Sequence, residues 1–180
     1  MGKSLRVILW LTVVTWLVLG WNGHSPMAGE KEKGLGGLDL KLGSEPIRVS
    51  AKTLEWDHRG HKATFHQEVV VRQQDMEMHS DDLIIYFNED DSDITHLVAK
   101  GNVRIIQKDR RASCEEAVYD RSQNRLVLEG NPVIRQGQNE VRGKRVIFFL
   151  TENRSVVEGG EGGRVKVTLV PEKGELGDRL

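Results

Sequence analysis

Several groups of side chains in this 180-residue chain are of types that do chemistry. Asp81-Asp82 and Glu115-Glu116 are paired carboxylates, the equipment of a glycosidase. His58, His61 and His66 cluster as metal ligands do, and Glu89-Asp90-Asp91-Ser92-Asp93 offers oxygens to calcium. Cys114 is a candidate nucleophile, and Asn153-Arg154-Ser155 fits a glycosylation sequon.

Each group has a plainer reading. The carboxylate pairs recur at matching positions of a repeat whose third copy carries Lys144 and Arg145 there, and catalytic pairs are not built by repetition. The three histidines surround a polar turn with mixed facing. The acidic run lacks the central Gly and terminal Glu of an EF-hand loop and lies where a hairpin tip belongs. Cys114 has no second thiol, so it forms no internal disulfide and reads as a small buried apolar group. The sequon is a chance match. No Gly-x-Ser-x-Gly elbow, His-Glu-x-x-His or Walker loop is present. The expectation is a protein that is not an enzyme and uses no cofactor and no metal.

What positions these residues is a repeat. Phe65 to Tyr86, Ala99 to Tyr119 and Leu128 to Phe148 share one pattern: apolar, polar, Gly (Gln67 in the first copy), polar, then alternating apolar positions, closing on an aromatic. Gln67, Gly101, Gly130 and Gly159 fall 34, 29 and 29 residues apart. Two period-2 strands within such a period make a hairpin too small to bury its apolar face alone, so neighbouring units must stack. The intervening turns are Asp57 to Gly60, Asn88 to Asp93, Asp120 to Asn124, Asn131-Pro132, Gln136 to Asn139 and Glu158 to Gly163. With short turns and no 3.6-residue period outside the leader, the strands must pair antiparallel. Pro132 removes a ladder donor and implies a bulge or edge. Aligned on the glycines, Phe65, Ala99, Leu128 and Val157 form one column, Val69 and Val103 a second, and Val71, Ile105 and Ile134 a third, all on one face.

Charge bounds the partners. Lys and Arg number 26 against 27 acids, with no domain-wide basic excess and no basic stripe, so nucleic acid is not expected. Lys3 and Arg6, then the uncharged run Val7 to Trp21, read as an export signal over 1-28, cleaved or retained as an anchor. A flexible linker is expected over 29-45, one domain over 46-171 and a tail over 172-180. A sugar-binding sheet would display aromatics, yet Trp56 is the only Trp outside the leader.

The frames Leu97 to Gln107, Glu115 to Asp120 and Leu126 to Gly137 closely resemble the OstA-like domain, with coverage from about Pro46 to Pro171. The resemblance implies an all-β fold, an antiparallel, twisted, slightly open β-jellyroll. Its interior would take the lipid A acyl chains of lipopolysaccharide within a periplasmic bridge from inner to outer membrane of a Gram-negative bacterium. Partners would be an inner-membrane clamp (LptC-like), an outer-membrane translocon (LptD-like) and further copies of this chain joined head to tail. The alternative within this family is that the chain is itself the membrane-anchored clamp. The lining implied is Val49, Phe65, Val69, Val71, Met76, Met78, Leu83, Ile85, Leu97, Val103, Ile105, Leu126, Leu128, Ile134, Ile147 and Phe149. An unclosed roll leaves free edges, expected at Ile47 to Ala51 and Arg164 to Val170, with Ile47, Val49, Val165, Val167 and Leu169 on the joining strands.

Overall fold

The computed structural model describes residues 45–171, so the leader, nearly all of the linker and the tail lie outside the described residues. Twelve strands follow one another: β1 (Arg48–Ser50), β2 (Thr53–Asp57), β3 (Lys62–Gln73), β4 (Met76–Phe87), β5 (Ile94–Gln107), β6 (Arg110–Asp120), β7 (Arg125–Glu129), β8 (Val133–Gln136), β9 (Asn139–Arg142), β10 (Arg145–Phe149), β11 (Arg154–Glu158) and β12 (Lys166–Thr168). The only helix among the described residues is a 3-10 turn at Glu161–Gly163. Every pairing is antiparallel, and the main path β1-β3-β4-β5-β6-β7-β10-β11 does not close. The all-β, open jellyroll is therefore the fold observed.

The repeat glycines explain how one sheet encloses a core. Consecutive left-handed residues interrupt the strand path at Gln67-Glu68 (φ 65° and 52°), Gly101-Asn102 (φ 74° and 48°) and Gly130-Asn131 (φ 78° and 55°). Ladder register shifts at the first two, between His66 and Val69 and between Lys100 and Val103. At the third, β7 gives way to β8. The sheet thus divides into two leaves. Leaf A holds β2, β7, β10, β11 and the adjoining halves of β3 to β6; leaf B holds β1, β8, β9, β12 and the remaining halves. Buried residues of both leaves form one continuous core, from Val69, Val71 and Ile105 of leaf B to Leu83, Leu128 and Val146 of leaf A.

The carboxylate pairs acquire a structural role here. A Cβ on Gly101 would overlap the Asp81 carboxylate, and one on Gly130 would overlap the Glu115 side chain. Asp81 Oδ2 also accepts a hydrogen bond from Asn102 Nδ2 at 2.8 Å. At the first kink the neighbouring backbone is the β1–β2 link, whose Lys52 N donates to Gln67 O at 3.1 Å. Position 67 carries an exposed Gln where the later kinks have Gly. Pro132 falls at the third kink, buried, its carbonyl accepting from Gly143 N at 3.3 Å. Its missing N–H thus coincides with a break in the ladder.

Two expected interior residues face outward. In β10 the interior positions are Val146 and Phe148, 0% and 3% exposed, so Ile147 and Phe149 lie on the opposite face. Phe149 carries the Arg154 guanidinium 4.0 Å above its ring centre. The alternation slips between β9 and β10: Val141, Gly143 and Val146 are all buried, so the connection through Gly143-Lys144 inserts one residue into the period. The Cys114 thiol lies in the core, where burial above all pushes its pKa up to about 12 and keeps it a protonated apolar group.

Gly101→Ala should lower stability by about 1–2 kcal/mol for the left-handed backbone alone, with a further loss from displacing Asp81. Gly137→Ala shares a positive φ but meets nothing within 4 Å, and should lose only the backbone part. Denaturant unfolding of both variants beside the wild type checks the difference.

Candidate functional site

Strand register turns the interior of each leaf into parallel lines of side chains. In leaf A one line runs Leu54, Phe65, Leu83, Ala99, Ala117, Leu128, Val146, Val157; the next runs Trp56, Ala63, Ile85, Leu97, Tyr119, Leu126, Phe148. In leaf B the corresponding line is Val49, Val71, Met78, Ile105, Ala112, Ile134, Val141, Val167. One step further from the kinks, leaf B changes character: Gln73, Met76, Gln107, Arg110, Gln136 and Asn139 lie in register. An apolar interior therefore ends in a polar rim.

Between the leaves lies a slot. Val71, Met76, Met78, Leu83, Ile85, Leu97, Ile105 and Leu126 line it, as do Ala99, Ala117 and Tyr119, with Ile47, Gln73, Gln74, Asp75 and Gln107 around its mouth side. The rim is held by hydrogen bonds. Gln73 Nε2 donates to Glu45 O at 3.0 Å and Gln107 Nε2 donates to Asp75 Oδ1 at 3.1 Å. Gln107, with Lys108 beside it, holds the Asp75 carboxyl below the usual carboxylate range.

The other expected lining residues divide by depth. Val69, Val103, Leu128 and Ile134 are buried in the core, and Val49 and Phe65 are half-buried against it, without lining the slot. Ile147 and Phe149, on the outer face, do not line it either. The alanines and Tyr119 were not among the expected lining residues. Ala99 does stand in the first expected column, and Tyr119 is the closing aromatic of the second copy, so both carried a positional signal.

Both ends of these lines are open. Edge β2 was not expected as a strand. It sets Leu54, 53% exposed, and Trp56, 41% exposed, opposite the interior residues Phe65 and Ala63. At the other end Val167 and Leu169 are 53% and 61% exposed, and Val167 stands opposite interior Val141. Ile47 and Val49 at the first edge are half-buried. Among the described residues each of β1, β2, β11 and β12 pairs on one side only.

The candidate catalytic groups lie outside the slot. His66 Nδ1 meets Asp82 Oδ1 at 2.7 Å and His61 Nδ1 meets Asp91 Oδ1 at 2.8 Å, on exposed or half-buried surface. Among the described residues no group of three His, Cys, Asp or Glu side chains is placed to hold a metal. What the arrangement can do is shelter an extended apolar group between two leaves while a polar head remains at the rim.

Comparison with known proteins agrees with this geometry. No curated protein sequence matches the chain. The crystal structure of LptH, the LptA-homologous periplasmic component of the lipopolysaccharide transport device of Pseudomonas aeruginosa, is similar in fold. It superposes with a TM-score of 0.62 at 20% sequence identity, covering 71% of this chain and 96% of that chain. The family model described as LptA/(LptD N-terminal domain) LPS transport protein matches residues 48–154, more than half of the sequence. The chain accordingly belongs to the LptA and LptD N-terminal-domain family of lipopolysaccharide transport proteins.

Proposed function

We propose that this chain is a periplasmic bridge component that carries lipopolysaccharide from the inner to the outer membrane, with the lipid A acyl chains held between leaves A and B. The observation that carries this reading is the slot, apolar in its depth, polar at its rim, and continued by exposed apolar residues at both open edges. Each methylene removed from water is worth ~0.8 kcal/mol, so a multi-acyl lipid needs such shelter to cross an aqueous compartment. The slot holds a cavity of only about 70 Å³. Acyl chains therefore enter by parting side chains, a motion that the unbranched Met76 and Met78 accommodate readily.

In this reading residues 1–28 are the export signal, 29–45 a linker, 46–171 the jellyroll and 172–180 a tail. The family description covers LptA and the N-terminal domain of LptD, which favours a bridge over a membrane-anchored LptC-type clamp. The partners are then LptC-like and LptD-like domains at the two ends of the bridge and further copies of the chain between them. The protein has no enzymatic task.

Head-to-tail joining would use the free edges. Val170 N donates to Asn139 Oδ1 at 2.8 Å, on the β9 side of the terminal segment. Because successive N–H groups alternate in direction, those of Val167 and Leu169 point toward the free edge, where a strand of the next copy can accept them.

Two experiments test the proposal. Met78→Glu and Leu97→Glu place a carboxylate at half-buried slot positions and should weaken lipopolysaccharide binding, read by displacement of a fluorescent lipid A analogue, by about tenfold or more. Val98→Glu, on the outer face, should leave it unchanged; equal loss at Val98 would remove the slot from the mechanism. Val167→Pro deletes an edge donor without breaking the β9–β12 ladder. It should leave a folded monomer that no longer forms filaments in light scattering, and persistent filaments would reject this edge.

A further inference from the structure

Charge is distributed very unevenly between the two outer faces. The outer face of leaf A carries seven acids against five Lys or Arg residues. The outer face of leaf B carries seven Lys or Arg residues against two acids, in a chain whose net charge is −1. The excess is arranged as like-charge partners directly across the ladder. Arg48 stands opposite Arg72, Arg111 opposite Arg135, and Arg142 opposite Lys166, with Arg104 between. Such pairs are unfavourable for folding, so the fold itself does not account for three of them on one face.

The two acids neutralise part of the excess. Glu77 accepts from Arg72 Nε at 2.7 Å and contacts His79 Nε2 at 2.6 Å; Glu140 accepts from Arg135 Nε at 2.7 Å and from Arg142 Nε. These contacts fix the direction of three guanidinium groups. Arg48, Arg104, Arg111 and Lys166, all exposed, make no ion pair among the described residues. Six of the seven cations are arginine, whose planar fork grips phosphate oxygens in pairs.

Position supplies the second argument. Arg72, Arg111 and Arg135 are the immediate chain neighbours of the rim residues Gln73, Arg110 and Gln136, so this cationic line lies ~3.3 Å along the strand from the slot's polar rim. A head group attached to a tail in the slot emerges beside it. We infer that the outer face of leaf B is a cationic platform for the phosphorylated saccharide head of the same lipid whose acyl chains occupy the slot. The inference rests on the proposed function. It adds a second contact surface, outside the slot, that recognises charge and not chain length. Spread over several strands, the platform offers successive equivalent positions along the stacking direction and lets the head move with the tail.

The test uses the full chain and the double variant Arg104→Ser/Arg111→Ser. Neither residue has an ion pair to lose among the described residues, so the melting temperature should hold or rise. Binding is measured with lipopolysaccharide and with the same material chemically dephosphorylated, at low and high salt. The wild type should prefer the phosphorylated form by about tenfold at low salt, less as salt rises. The variant should lose that preference and bind the dephosphorylated form as the wild type does. Equal wild-type affinity for both forms would overturn the platform while leaving the slot intact. Binding of neither form would overturn the slot, and the platform with it. Phosphatidylglycerol vesicles form the final arm: variant-sensitive vesicle binding without any phosphate preference for the lipid would reassign the face to a membrane surface and overturn the inference.

Discussion

The structure depends on a backbone constraint: two consecutive left-handed residues interrupting the strand path. L-residues adopt that conformation at a cost, and a strand containing it cannot stay flat. Gly101-Asn102 and Gly130-Asn131 place it at corresponding points of successive repeats, and Gln67-Glu68 begins the series. The ladder is broken at the same level in neighbouring strands, so the whole sheet turns upon itself and one face becomes interior in both leaves. Asp81 and Glu115 lie over the glycines of the adjacent kinks and occupy the room a side chain would need. The slot, its rim and its open ends are consequences of where the kinks fall.

This explains what could be read from the sequence. The period, the antiparallel order and the columns built on Phe65, Val71 and Ile105 are properties of spacing, and spacing survives folding. The break at Pro132 was legible because a missing donor has only a few tolerable places. The facing of β10 was not. Its parity depends on one extra residue around Gly143-Lys144, and a single-residue slip exchanges Ile147 and Phe149 for Val146 and Phe148. Nor was β2, because Thr53 to Trp56 are all exposed and give no burial pattern. The cationic face was hidden for a different reason. Its residues come from eight separate segments, and only register brings Arg48 beside Arg72 or Arg111 beside Arg135.

Transport requires binding that can be released. A row of similar apolar lines, two or three residues deep, gives many sites of comparable strength along the stack, and the open edges keep either end from becoming a barrier. The exposed Leu54, Trp56, Val167 and Leu169 would be unfavourable on a solitary domain, and a neighbouring copy or partner domain that continues the lines would cover them. Carboxylates, histidines and the buried thiol serve this scaffold: the first as props at the kinks, the second as surface partners, the third as filling.

The central claim is that lipid travels between the leaves. Site-specific photocrosslinking in cells tests it most directly, with a reactive side chain placed in turn at Leu97 and Ile105 on the slot wall and at Val98 and Ile147 on the outer face of leaf A. The account predicts lipopolysaccharide adducts at the first two and none at the second two. Adducts on the outer face of leaf A with none on the slot wall would contradict it.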